Sequence, residues 1–253
     1  MKQQTGLPLV ERTRHFLREF PGGKLNPTLL AQVYRQHGVA KRSIRWTKRS
    51  KTQSLEQAVQ DTARMKRELA KAKRDGYRLV YLDECMFTRA TVPKAEYCLP
   101  KQNVTLDQAD LNEPTLALLS SISKEKGQEL FMIFERSVDI PKFKEWLLRL
   151  REENGDDKIC LFMDQLSAHT SKKSKAAMRS LAFRYVYNVA YSPDYNPIES
   201  VFSKVKQSFR ALRAQKLVGN IQDDHKALVQ KAVNSVRKKD IVNCIEHVQK
   251  LLK

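Results

Sequence analysis

Two stretches constrain this chain more than any others: RLVYLDE at 78–84 and KICLFMD at 158–164. Each is a short, almost continuous apolar run that ends in acid. A run with no polar alternation offers no face to water, so it reads as a strand buried on both sides. Strands of that kind need helices above and below them, which commits the chain to a layered α/β architecture. The remaining patterning agrees. TLALLSSIS (115–123) and QELFMIFER (128–136) read as two more strands, with KEKG as the hairpin turn between them. Residues 139–153 space Phe143, Trp146, Leu147 and Leu150 at helical intervals. SKKSKAAMRSLA (171–182) is a basic helix and FRYVYNVA (183–190) a further strand. A helix starts near Pro197, and two more fill residues 222–253. This order predicts a mixed sheet flanked by helices.

Upstream, Pro27 behind Asn26 starts a helix over 27–37 that stops at Gly38, and Ser54 caps a long helix that Asp75-Gly76 ends at Arg74. Between these helices lies KRSIRWTKRSK (41–51), six of whose eleven residues are basic. The chain carries a net charge of +19, and residues 1–78 hold 19 Lys and Arg against 6 Asp and Glu. A charge excess concentrated in that way points to a polyanionic partner, and the run's Lys41, Arg42, Arg45, Lys48, Arg49 and Lys51 suit phosphates, with Trp46 as a flat surface among them. The same residues also fit a nuclear import signal. Residues 1–53 are therefore read as a basic N-terminal helical extension and arm, and 54–253 as the main domain, with 85–114 an excursion from its sheet.

No stretch approaches the length of an apolar membrane span, and the start lacks the apolar core of a signal peptide, so no membrane partner and no secretion are expected. The cysteines (Cys85, Cys98, Cys160, Cys244) contain no CxxC pair, which speaks against a zinc site or disulfide framework.

Asp83 and Asp164 each close an apolar strand, and if those strands are neighbours both carboxylates emerge at one sheet edge. Ordinary turn chemistry is the alternative for either one alone. Glu199 sits inside the helix that follows Asn196-Pro197, where it is either a capping-box acid or a third carboxylate for the same edge. It lies off the apolar stripe of Ile198, Val201, Phe202, Val205 and Phe209, on a line with Ser203, Lys206 and Arg210. Three converging acids repel one another unless cations lie between them. Hard divalent ions suit an all-oxygen ligand set, and a pair of them suits phosphoryl transfer.

Three segments carry a family resemblance: YLDECMF (81–87), LFMDQLSAHTSKK (161–173) and YSPDYNPIESVFSKVK (191–206), with 34 residues between Asp164 and Glu199. On these the chain resembles the DDE transposases of the mariner superfamily. The resemblance implies a ribonuclease H-like fold and a nucleic-acid-cutting site in which Asp83, Asp164 and Glu199 hold two Mg²⁺ or Mn²⁺ ions, with Asp83 shared between them. It implies double-stranded DNA as partner, as transposon ends and as target (commonly at TA). It also implies a homodimer, and action in the nucleus of a eukaryotic host or otherwise in the cytoplasm and nucleoid. Lys172, Lys173 and Lys206 are read as DNA-facing. Gln165 stands where the family usually has Asn, and it adjoins the site. His169 is read first as a capping or packing residue, with a place beside Asp164 as the family alternative. Glu84 is expected on the opposite sheet face from Asp83. Residues 91–114 occupy the position of the family's clamp-like insertion, and residues 7–50 that of a remnant helix-turn-helix module. Two other readings share the fold: a domesticated, non-catalytic DNA-binding protein, and a structure-selective nuclease without strand transfer.

Overall fold

The computed structural model describes residues 9–38, 55–88, 90–91, 113–217 and 223–252. The basic run 41–51, Ser54 and most of the 85–114 excursion lie outside them. The chain divides into two compact units, Met1–Lys48 and Arg49–Lys253.

In the first unit, α1 (Leu9–Glu19) packs on α2 (Pro27–Gln36). The second follows its sequence signals: Asn26 caps the Leu29 amide at 2.8 Å and Pro27 opens the helix. The first was not expected. Its apolar residues are interrupted by Arg and Thr, but buried Thr13 returns its hydroxyl to the Leu9 carbonyl at 2.9 Å, which lets a polar residue sit inside.

The second unit is built on a five-stranded sheet of order β3-β2-β1-β4-β5, from β1 (Arg78–Phe87), β2 (Leu116–Ser123), β3 (Gly127–Glu135), β4 (Ile159–Met163) and β5 (Arg184–Tyr187). β1, β2 and β3 form an antiparallel meander, while β4 and β5 run parallel to β1. The β2–β3 turn closes on Gly127 at φ +81, where a Cβ would stand 2.9 Å from Lys238 Cγ. Only glycine fits both that conformation and that approach.

Alternate strand residues feed two cores. Leu79, Tyr81, Cys85 and Phe87 of β1 face α3 (Leu55–Arg74), α7 (Ile198–Leu217), α8 (His225–Asn234) and α9 (Lys238–Leu251). Val80 and Leu82 face α4 (Ile140–Asn154) and α6 (Lys172–Ser180). On the second face Phe143, Trp146, Leu147 and Leu150 are fully buried, each contributing about 1.5–3 kcal/mol. β1 runs beyond its expected end at Glu84. Beyond Glu84 it pairs only with β2, Cys85 with Leu118 and Phe87 with Leu116, burying both of its own residues. Asp83 therefore lies within the strand rather than at its end. Among the described residues no helix is long and apolar enough to cross a membrane.

Candidate active site

The edge that matters lies where β4 stops and β1 continues. The parallel register pairs Tyr81 with Phe162, and continued by two residues it sets Asp83 beside Asp164, the residue after β4. Glu199 enters from the start of α7 on the face that Asp83 shares.

The turn before α7 works differently from a capping box. A short 3-10 turn, Pro193–Tyr195, precedes Asn196, and the first helical bond runs from the Val201 amide to the Pro197 carbonyl. Asn196 still caps with its side chain, Oδ1 accepting the Ile198 amide at 3.5 Å, but its own N–H is taken by Pro193 O, not by Glu199. The Nδ2 of the same side chain, 2% exposed, donates to Asp83 Oδ2 at 3.3 Å and to the Leu82 carbonyl at 3.2 Å. One amide thus ties the helix that carries Glu199 to the strand that carries Asp83. Asn196→Ala is expected to cost about 1–2 kcal/mol, because it leaves a buried carbonyl without this donor. A urea melt against wild type checks it.

The electrostatics follow from the packing. Burial raises the Asp83 carboxyl to about 7, and the charges of Asp164, Glu199 and Glu84 add to the effect, against one hydrogen bond from the Glu84 amide. Burial and Asp164 likewise push Glu199 up, while Lys206 opposes them. Lys206 also bonds Cys85 and so stands among the acids, as the line from Glu199 along the helix predicted.

His169 takes a direct part. It is fully buried, with Nδ1 2.7 Å from Asp164 Oδ1 and Nε2 3.2 Å from Glu84 Oε1. Burial alone would lower its pKa, but the bonds to Asp164 and Glu84 override it and hold the ring near 9. The capping reading is thereby corrected: His169 belongs to the short helix α5 (Ser167–Thr170), and its ring points back to the acids. Glu84 does lie on the other sheet face. The sequence signals for this pair were a second acid directly after Asp83 and, from the family resemblance, the place of His169 five residues after Asp164.

Gln165, which adjoins Asp164 in sequence, turns its side chain towards the next strand. Its amide donates to the Asn188 carbonyl at 2.9 Å and ties the end of β4 to that of β5. Lys172 and Lys173 are exposed at the start of α6, and Lys175 lies 5.7 Å over the Tyr187 ring. Cys85 and Cys160 are buried free thiols raised to about 11 and 12 by that burial. A recess of about 490 Å³ lies at the other end of β1, lined by Lys73, Tyr77, Arg78, Lys124 and Gln249, away from the acids.

The donor set fits Mg²⁺ or Mn²⁺. It is all oxygen, it carries excess negative charge in a partly buried place, and no hydrogen bond reaches Asp164 Oδ2 or the Glu199 carboxylate among the described residues. No three His, Cys, Asp or Glu groups among those residues stand close enough to enclose one ion together. Mg²⁺ does not require such a cage, since one or two carboxylates plus substrate phosphate suffice.

A family model described as DDE superfamily endonuclease matches residues 78–222, more than half of the chain. The chain belongs to that family. Several solved structures share the fold. The Mos1 mariner paired-end complex with Mn aligns at 14% identity and TM-score 0.62, over 96% of this chain and 76% of that one. The paired-end complex with Mg aligns at 16% identity and TM-score 0.59, over 95% and 74%. The catalytic domain of Mos1 mariner transposase aligns at 13% identity and TM-score 0.52, over 82% and 94%. At these identities the likeness is one of fold, and it is the ribonuclease H-like fold of a transposase catalytic domain. No curated protein matches at the level of sequence.

Proposed function

We propose that this DDE endonuclease is the catalytic domain of a mariner-type transposase, hydrolysing phosphodiester bonds at transposon ends and joining the freed 3′-hydroxyl to target DNA. The observation that carries the reading is that Asp83, Asp164 and Glu199, from three different elements, stand near enough for the charges of Asp164 and Glu199 to raise Asp83. Two Mg²⁺ or Mn²⁺ ions held by these carboxylates would supply Lewis-acid activation of the attacking oxygen and stabilisation of the leaving one. The chain's own residues do the positioning. Asn196 fixes Asp83 against the start of α7, His169 fixes one oxygen of Asp164, and Lys206 brings a cation to the acids. Lys172 and Lys173, exposed on the helix that follows Asp164, suit contacts to the DNA backbone. The residues of the 41–51 run, outside the described structure, extend that role in the proposal. Two copies acting on paired DNA ends, in the nucleus or nucleoid, complete the reading.

The test is a plasmid-nicking assay on wild type and Asp164→Ala with Mg²⁺ or Mn²⁺, and with chelator. Cleavage by wild type alone, abolished by chelator, is the expected result. Salt-sensitive DNA binding with no cleavage by either protein would instead support the domesticated reading. Strand-transfer products separate a transposase from a plain nuclease.

A further inference from the structure

The second acid of β1 has no evident structural purpose. Glu84 is 11% exposed, its Oε2 is buried with no hydrogen-bond partner among the described residues, and its Oε1 faces only the His169 ring. A carboxylate left half unsatisfied inside a protein costs stability, and a residue of similar size without charge would avoid that cost. Its one bond leads to the site. The His169 ring, held also by Phe143 at 4.7 Å between centroids, has a carboxylate oxygen at each nitrogen. With both nitrogens so engaged the ring cannot turn, and Nδ1 must point at Asp164 Oδ1.

That same Oδ1 accepts the Leu166 amide at 3.2 Å, so both protein contacts fall on one oxygen and Oδ2 is left open. Asp164 needs this support. It follows the last residue of β4, its side chain is 35% exposed, and no strand neighbour holds it. Asp83 is fixed from its own sheet face through Asn196. Asp164, at the strand end, is reached from the opposite face, where Glu84 lies.

We propose that Glu84 is a positioning residue: through His169 it fixes the Asp164 carboxylate so that Oδ2 is presented to a divalent cation. The inference rests on the metal-dependent reading above. Ligating groups in metal sites are commonly oriented by such outer hydrogen bonds, and losing one lowers affinity about 10–100-fold.

The experiment measures Mn²⁺ binding to the DNA-free full chain by calorimetric titration, with a thermal melt of each protein. Glu84→Met retains volume and removes the bond. It is expected to melt close to wild type and to bind Mn²⁺ about 10-fold more weakly. His169→Leu is expected to show at least the same loss. The double variant should bind no more weakly than His169→Leu alone, because Glu84 acts only through that ring. Glu84→Met binding Mn²⁺ as wild type does would overturn the proposal, as would a double variant whose loss is the product of the single losses. If wild type itself takes up no Mn²⁺, the metal reading falls and the relay with it. A relay that fails alone leaves wild-type binding intact.

Discussion

Asp83→Asn is expected to abolish metal-dependent cleavage, by on the order of 10³-fold or more, and to make the metal-free protein more stable at pH 8. The first effect follows because Asp83 would be one of the ligands of the proposed ions, and a metal's transition-state stabilisation is worth several kcal/mol at about 1.4 kcal/mol per decade. The second follows from burial. The folded protein holds the Asp83 carboxyl at about 7 against an ordinary 3.8. Between those values the folded chain binds more protons than the unfolded one, so stability falls as pH rises. The penalty is absent below pH about 4 and complete above about 7. His169, raised to about 9, has the same sign in a later window: its contribution is complete below about 6.5 and lost towards 9. Asp157, held below the usual carboxylate range by Arg78, acts on the acid side of both windows, whereas Glu199, pushed up by burial, adds to the lower one with the same sign. Melts in chelator from pH 5 to 9 should therefore fall twice for wild type, and less steeply in the lower window for Asp83→Asn, where only the raised Glu199 still titrates with the same sign. The gain at pH 8 is about 1–3 kcal/mol, limited because the new amide meets the Asn196 amide donor at Oδ2's position. A wild-type melt that rises between pH 5 and 7 would contradict this account.

Such a trade between stability and function also explains which parts of the site were legible in the sequence. The apolar runs ending in Asp83 and Asp164 announced themselves because burial on both faces removes polar alternation, and a mixed sheet flanked by helices followed from them. Glu199 was legible through its turn, although the turn's mechanics were misread. Asn196 was legible as a cap, and its Oδ1 does accept the Ile198 amide, but its Nδ2 also spans 113 positions to Asp83. No local pattern encodes a contact of that separation. His169 and Glu84 were opaque for the same reason: 85 residues separate them, and a histidine ahead of a basic helix looks like capping chemistry. The end of β1 was placed early because Cys85 and Phe87 are held by β2 alone, and a strand paired on one side leaves a weaker apolar signature. α1 was missed because its apolar stripe is narrow and broken by arginines.

Arg213→Met is expected to destabilise the larger unit by about 2–3 kcal/mol, a fall in melting temperature of roughly 4–12 °C for a chain of this size. Arg213 is 2% exposed on α7, and its Nη1 donates to the Thr88 and Thr91 carbonyls at 3.1 and 3.3 Å. Those residues form the turn that takes the chain out of β1, where the Thr91 amide already bonds Thr88 O at 2.8 Å. Thr88 O thus keeps a donor when the guanidinium is lost, whereas the Thr91 carbonyl loses the bond Arg213 makes to it. Two effects compete. Burial lowers the Arg213 pKa, so replacing the cation by an apolar chain of similar volume recovers some desolvation cost. Against that stand a deprived buried carbonyl and the lost attraction to Glu113, which sits where the chain returns to the sheet. The second group is larger, since an unsatisfied buried acceptor costs about 1–3 kcal/mol by itself. Lys216, one turn further along α7, pairs with Glu113 at 2.7 Å but is about one-third exposed, so Lys216→Met should cost less than about 1 kcal/mol. The contrast distinguishes an anchor from a surface ion pair: α7 holds the departing strand through Arg213 and merely touches the returning one through Lys216. Calorimetric melts of both variants check it, and equal shifts would show that burial of the guanidinium is not what secures the turn.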